Sequence, residues 1–160
     1  MIRLTEGGLG DLEAVMAVMA ASFDPRFGEA WTAAQCAGLL PLPGVWLSLA
    51  RDESGPQGFA LARIVADEAE LLLLAVRREA QGRGIGKLLL DRFGRLARAR
   101  GAARLHLEVR EGNQAINLYE RAGFALVGRR RGYYSGPGGI TYDALTLARN
   151  AAVTRELGNP

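Results

Sequence analysis

Three apolar runs in this chain lie too close together for helices to pass between them. They are Val45 to Arg51, Gly58 to Val65 and Leu71 to Val76. Asp52-Glu53-Ser54-Gly55-Pro56 turns the first into the second, and Asp67-Glu68 turns the second into the third. A parallel crossover needs about a dozen residues, so the spacing predicts an antiparallel meander and excludes a pure βαβ repeat. Periodicity supplies the other elements. Ile2 to Thr5 reads as a short first strand. Leu12, Val15, Met16, Met19 and Phe23 follow helical spacing, with Asp11 as N-cap. Thr32-Ala33-Ala34-Gln35 is a capping box, with Trp31 and Cys36 as its hydrophobic staple, which makes Cys36 a packed, inert thiol. Leu88 to Arg100 reads as an amphipathic helix that buries Leu89, Phe93, Leu96 and Ala97 and ends at Gly101. Arg104 to Arg110 reads as a strand. Ala115, Leu118, Tyr119 and Ala122 share one face of a short helix that stops before Gly123. Ala125 to Arg129 and Ile140 to Ala148 are the last strands, joined by a loop from Tyr133 to Gly139.

The resulting order is βαα, βββ, α, β, α, ββ. It predicts an α+β fold: a mixed, mostly antiparallel sheet of about seven strands with helices on both faces. Residues 1–150 read as one domain, and residues 151–160 as a short tail without pattern. The 160 residues suffice for one core. No apolar run approaches the roughly 18 residues of a membrane span. Met1 to Glu6 lacks the layout of a signal peptide. One cysteine permits no internal disulfide, so the expected location is cytoplasmic. The single histidine, His106, has no Cys or His cluster beside it, and no metal site is expected.

The net charge of +3 is unevenly divided: residues 1–80 carry 6 basic and 11 acidic side chains, residues 81–160 carry 14 and 6. The bland reading of Arg92, Arg95 and Arg98 is a solvated helix face, and that of Arg129-Arg130-Arg131 a solvated strand end. Neither a helix-turn-helix nor an aromatic stripe supports nucleic-acid binding. The basic half opens on Gln81-Gly82-Arg83-Gly84-Ile85-Gly86-Lys87, between an apolar strand and an amphipathic helix. Glycines at a helix N-terminus expose N–H donors at a positive dipole end, which suits an anion. The P-loop pattern fails, because Leu88 stands where Ser or Thr would hold magnesium. The dinucleotide fingerprint fails too. Counted from Gly82 its third glycine falls on Lys87, and counted from Gly84 it falls on Leu89, although Glu108 imitates the acidic residue that follows such motifs.

Gln81-x-x-Gly84-x-Gly86 resembles the acetyl-coenzyme A signature of the GNAT superfamily of N-acetyltransferases. Three further matches follow in order: Leu107-Glu108-Val109-Arg110, Leu118-Tyr119-Glu120 with Gly123-Phe124, and Arg131-Gly132-Tyr133-Tyr134. Together they resemble the RimI-type enzymes, which acetylate the N-terminal alanine of a ribosomal protein. The resemblance runs from about Asp67 to Tyr134. It implies acetyl-CoA as cosubstrate, with backbone groups of Leu74, Ala75 and Val76 on the pantetheine arm. It implies Gln81, Gly82, Arg83, Gly84, Ile85, Gly86 and Lys87 around the pyrophosphate, and Asn113 on the cofactor. It also implies strands Leu71–Val76 and Arg104–Arg110 splayed around that cofactor, Glu108 as general base, Tyr119 as general acid, and Tyr133 and Tyr134 over the acceptor. The implied partner is a protein or peptide N-terminus, a ribosomal protein among the candidates. A small-molecule amine, or a noncatalytic acyl-CoA sensor, is the alternative.

Each site residue also has a structural reading: Glu108 as a salt-bridged strand carboxylate, Tyr119 as a core aromatic, Asn113 as a helix cap. Two departures stand out. The chain is one residue shorter than the RimI-type pattern between Glu108 and Tyr119, and Phe27-Gly28-Glu29-Ala30-Trp31-Thr32 replaces a shorter segment. Proton balance adds a constraint. An α-amine near 8 loses its proton to a glutamate near 4.3 at a cost of about 5 kcal/mol, and a lysine near 10.4 costs more.

Overall fold

The computed structural model describes residues 1–152 of the chain. Among these, seven strands form one sheet. They are β1 (Arg3–Gly7), β2 (Val45–Asp52), β3 (Gly55–Val65), β4 (Glu68–Val76), β5 (Arg104–Arg110), β6 (Ala125–Ser135) and β7 (Thr141–Asn150). Across the sheet they run β1-β2-β3-β4-β5-β7-β6. The helices are α1 (Leu12–Ser22), α2 (Ala33–Leu39), α3 (Ile85–Ala99) and α4 (Ala115–Arg121). The meander β2-β3-β4 is antiparallel, as the short connections require. Only β4 and β5 pair in parallel, across the α3 connection. The tail beyond Ala152 lies outside the described residues.

Both faces of the sheet are covered. Trp46, Leu89, Phe93, Leu105, Leu107 and Phe124 form the core on the α3 side. Val15, Val18, Met19, Cys36, Leu47, Phe59 and Leu61 form the core on the α1 side. Neighbouring residues Trp46 and Leu47 fall in opposite cores, as a strand's period of two dictates. Among the described residues no helix is long and apolar enough to cross a membrane.

The capping box of α2 is complete: Gln35 N donates to Thr32 Oγ1 at 3.1 Å and Thr32 N to Gln35 Oε1 at 2.8 Å. Trp31 and Cys36 pack in the same core. Asp11 differs from expectation. Its side chain makes no cap bond to α1; it accepts from Gly8 N at 2.9 Å and from Arg51 at 3.1 Å. The first strand is Arg3–Gly7 rather than Ile2 to Thr5. Helix α3 starts at Ile85, inside the glycine segment, and Tyr133-Tyr134-Ser135 belong to β6 rather than to a loop.

One irregularity opens the sheet. Leu61 faces Leu73 and Ala62 faces Leu71, so Leu72 is an extra residue in β4. The bulge reverses the strand's faces: Ala69 and Leu71 lie in the α3-side core, Leu73 and Ala75 in the α1-side core. Pairing of β4 with β5 ends there, at Leu71 opposite Leu107. A bulge bends and twists its strand. Beyond it, Leu72–Val76 and Glu108–Arg110 diverge into a V.

Candidate active site

A cleft of about 1230 Å³ fills the V. Leu74 and Val76 line it from β4, and Gln81, Gly82, Gly84, Ile85, Gly86 and Lys87 from the glycine segment. Glu108, Asn113, Tyr119, Tyr133 and Tyr134 line it as well. Two expected residues turn elsewhere. The Ala75 side chain is buried in the α1-side core, and the Arg83 guanidinium bonds Asp52 at 3.0 Å. Ala75 can meet a ligand only through its backbone.

Gly82 and Gly84 have φ of +85° and +79°, a region in which a side chain is strained. A Cβ built on either meets nothing within 4 Å, so the space over the turn is open to a ligand. Gly84 is the N-cap of the 15-residue α3, and Leu88 N donates to Gly84 O at 3.1 Å. The N–H groups of Ile85, Gly86 and Lys87 therefore have no intrahelical acceptor. Donors, open room and a positive helix end together fit a diphosphate. Gly86 acts differently. A Cβ there would stand 3.2 Å from Leu118 Cδ2, so its absence lets α4 approach α3.

Alternation along β5 puts Leu105, Leu107 and Val109 in the α3-side core and turns Glu108 to the other face. The Glu108 side chain is 16% exposed, and its Oε1 lies 2.8 Å from Arg130 Nε on β6. Tyr119, on α4, packs edge-on against Phe124 at 6.1 Å between ring centroids. It is both a core residue and part of the cleft wall. Burial, then the neighbouring Tyr134 and Glu29, pushes its phenol above the usual tyrosine range. Burial, then Glu29 and Glu108, does the same to Tyr134.

Sequence reasoning missed the group that walls the far end of the cleft. Glu29 Oε1 accepts from Arg110 Nε at 3.1 Å, and Glu29 Oε2 accepts from Asn113 Nδ2 at 2.9 Å. The Glu29 and Arg110 side chains are each 10% exposed. The Arg110 guanidinium lies over the Phe27 ring, 3.6 Å from its centroid, and Phe27 meets Tyr142 edge-on at 5.2 Å. Asn113 Oδ1 accepts from Ala115 N at 2.8 Å, the cap-like bond at the start of α4. Both ends of the Asn113 amide are thus engaged, and the Phe27–Thr32 segment is fastened to β5 and α4. The one available signal was that Arg110 shares a strand face with Glu108.

Among the described residues no group of three or more His, Cys, Asp and Glu side chains is arranged to hold a metal ion. What the cleft can do is hold a phosphorylated ligand at the glycine turn and present a carboxylate from β5 and a phenol from α4.

The comparisons with known proteins agree with that geometry. A ribosomal protein bS18-alanine N-acetyltransferase from Haemophilus influenzae is 43% identical over 91 residues, 57% of this chain and 62% of that protein. The matched region thus spans under two thirds of that relative's length. A mycothiol acetyltransferase from Propionibacterium freudenreichii is 37% identical over 94 residues, 54% of this chain and 30% of that one. The crystal structure of the ribosomal-protein-S18-alanine N-acetyltransferase from Escherichia coli superimposes with a TM-score of 0.84 at 28% identity, covering 100% of both chains. The model of the acetyltransferase (GNAT) family matches residues 12–124. With its splayed seven-stranded sheet and that match, the chain belongs to the GNAT acetyltransferase family.

Proposed function

We propose that this chain is a single acetyltransferase domain over residues 1–150. It moves an acetyl group from acetyl-CoA to the N-terminal α-amine of a protein, a ribosomal protein being the leading candidate, in the cytoplasm. The observation that carries the reading is the joint placement of the glycine turn, Glu108 and Tyr119 on one cleft. Similarity to the bS18-alanine N-acetyltransferases supports the choice of acceptor.

Acetyl-CoA supplies the activated acetyl thioester. The backbone of Leu74, Ala75 and Val76 guides the pantetheine arm, a chain of amides that pairs like a strand. The N–H groups from Gly82 to Lys87 hold the pyrophosphate, with Gln81 and the backbone of Arg83 in the same turn. Asn113 serves the cofactor through α4, whose start it caps. Glu108 takes the proton that the amine gives up as the C–N bond forms. As the C–S bond breaks, Tyr119 hydrogen-bonds the departing thiolate. Its raised pKa makes full proton donation to a thiolate near 8.5 unfavourable, so its contribution is the hydrogen bond. Tyr133 and Tyr134 flank the acceptor.

Glu108→Gln separates an enzyme from a sensor. It should lower kcat about 10²- to 10⁴-fold, the usual worth of a general base, and leave the Kd for acetyl-CoA unchanged. Equal turnover in variant and parent would remove Glu108 as the base.

A further inference from the structure

Among the carboxylates that line the cleft, Glu29 and Glu108 have partners that differ in kind. Glu29 has both oxygens bonded, by Arg110 and Asn113, and its ion-pair partner is 10% exposed. Glu108 is paired with Arg130, whose side chain is 62% exposed. Arg130 is not part of the cleft wall. It leans onto Glu108 from outside, its guanidinium 5.4 Å from the centroid of the Tyr133 ring.

The backbone explains this position. Arg130 pairs with Ala144, and the next paired residue of β6 is Tyr134, opposite Tyr142. Arg131, Gly132 and Tyr133 therefore bulge out against Asp143 alone. Asp143 holds the bulge by accepting from Gly132 N at 2.9 Å and from Arg129 at 2.9 Å. Arg130 is the last regular residue before the bulge, at the mouth of the cleft.

We infer that the Arg130 guanidinium keeps the place of the acceptor's ammonium on Glu108, so that the acceptor binds by ion-pair exchange. This deepens the proposed function and rests on it. An α-amine with a pKa of about 8 arrives mostly as the ammonium at neutral pH. It needs a carboxylate, and an ammonium on Glu108 beside the guanidinium at Oε1 would set two cations against each other on one carboxylate. Glu29 cannot yield, because freeing it strands a buried Arg110. Glu108 can, because the exposed arginine regains its hydration when it swings out and the incoming ammonium takes over the half-buried carboxylate. The exchange leaves the charge of the site unchanged, and only a cationic acceptor completes it.

The test uses the full chain with Arg130→Gln, which removes the cation, and Arg130→Lys, which keeps one. The acceptor is a peptide with a free N-terminal alanine, at saturating acetyl-CoA. Arg130→Gln should lower the KM for the peptide by up to about fivefold, the full worth of an exposed pair. It should leave the KM for acetyl-CoA unchanged, and Arg130→Lys should stay near the parent. A loosened hairpin would instead raise the peptide KM. An unchanged or higher peptide KM in Arg130→Gln overturns the exchange.

Calorimetric binding of the same peptide, which needs no turnover, keeps this inference apart from the proposed function. Tighter binding to Arg130→Gln with no thiol release from the parent overturns acetyl transfer to that peptide and sustains the exchange. Equal binding, or none to any of the three proteins, overturns the exchange.

Discussion

Glu29 and Glu108 occupy one cleft, and their surroundings set them different tasks. Glu29, held by two fixed partners, is part of the wall. Glu108, held by one exposed arginine, has the looser pair. Tyr119 is likewise defined by its surroundings. Burial raises its phenol, so it stays protonated as the pH rises through about 10, where an ordinary tyrosine ionises. The sign is definite: a raised acid pKa extends the protonated range upward. The rate should climb as the acceptor amine deprotonates near 8 and should show no fall centred at 10. Tyr119→Phe should be slower at every pH with the same profile shape. A fall near 10 in the parent that vanishes in Tyr119→Phe would contradict the buried, protonated phenol. At this scale the strand face of Glu108 was legible, because β5 alternates cleanly around it. Arg130 was not, because three successive arginines look alike until a bulge assigns each a direction.

The elements were easier to read than their ends. The meander followed from turns too short for crossovers, and α2 from a capping box that the structure reproduces bond for bond. The bulge at Leu72 left no signal, since four consecutive leucines suit either face of a strand. Yet that bulge ends the β4–β5 pairing and opens the cleft. Tyr133 to Ser135 read as loop because glycines and a proline follow them, while pairing of Tyr134 and Ser135 with β7 carries the strand through the bulge. Gly84→Val places a branched side chain at φ +79°, at a strain of about 1–2 kcal/mol, and fills the open space above α3. Acetyl-CoA affinity should be lost while the far-UV circular dichroism spectrum is kept. Undiminished affinity would refute the phosphate cradle.

The whole molecule is a sheet split at one seam, with its chemistry gathered from distant parts of the chain. Glu29 reaches Arg110 and Asn113 across 81 and 84 residues of sequence, and no local pattern could announce those contacts. The same contacts give the unexpected Phe27–Thr32 segment its place, as a wall between the α1 side of the sheet and α4. Under the proposed function the seam takes the cofactor at the glycine turn and leaves the Glu108 face of β5 for the acceptor, which favours direct transfer between two bound substrates. The most direct measurement is thiol release from acetyl-CoA with three acceptors: a peptide with a free N-terminal alanine, the same peptide blocked at its N-terminus, and a small primary amine. Rapid release is expected with the free peptide and background release with the other two. Release with the small amine alone, or with the blocked peptide as readily as with the free one, would contradict the proposed function.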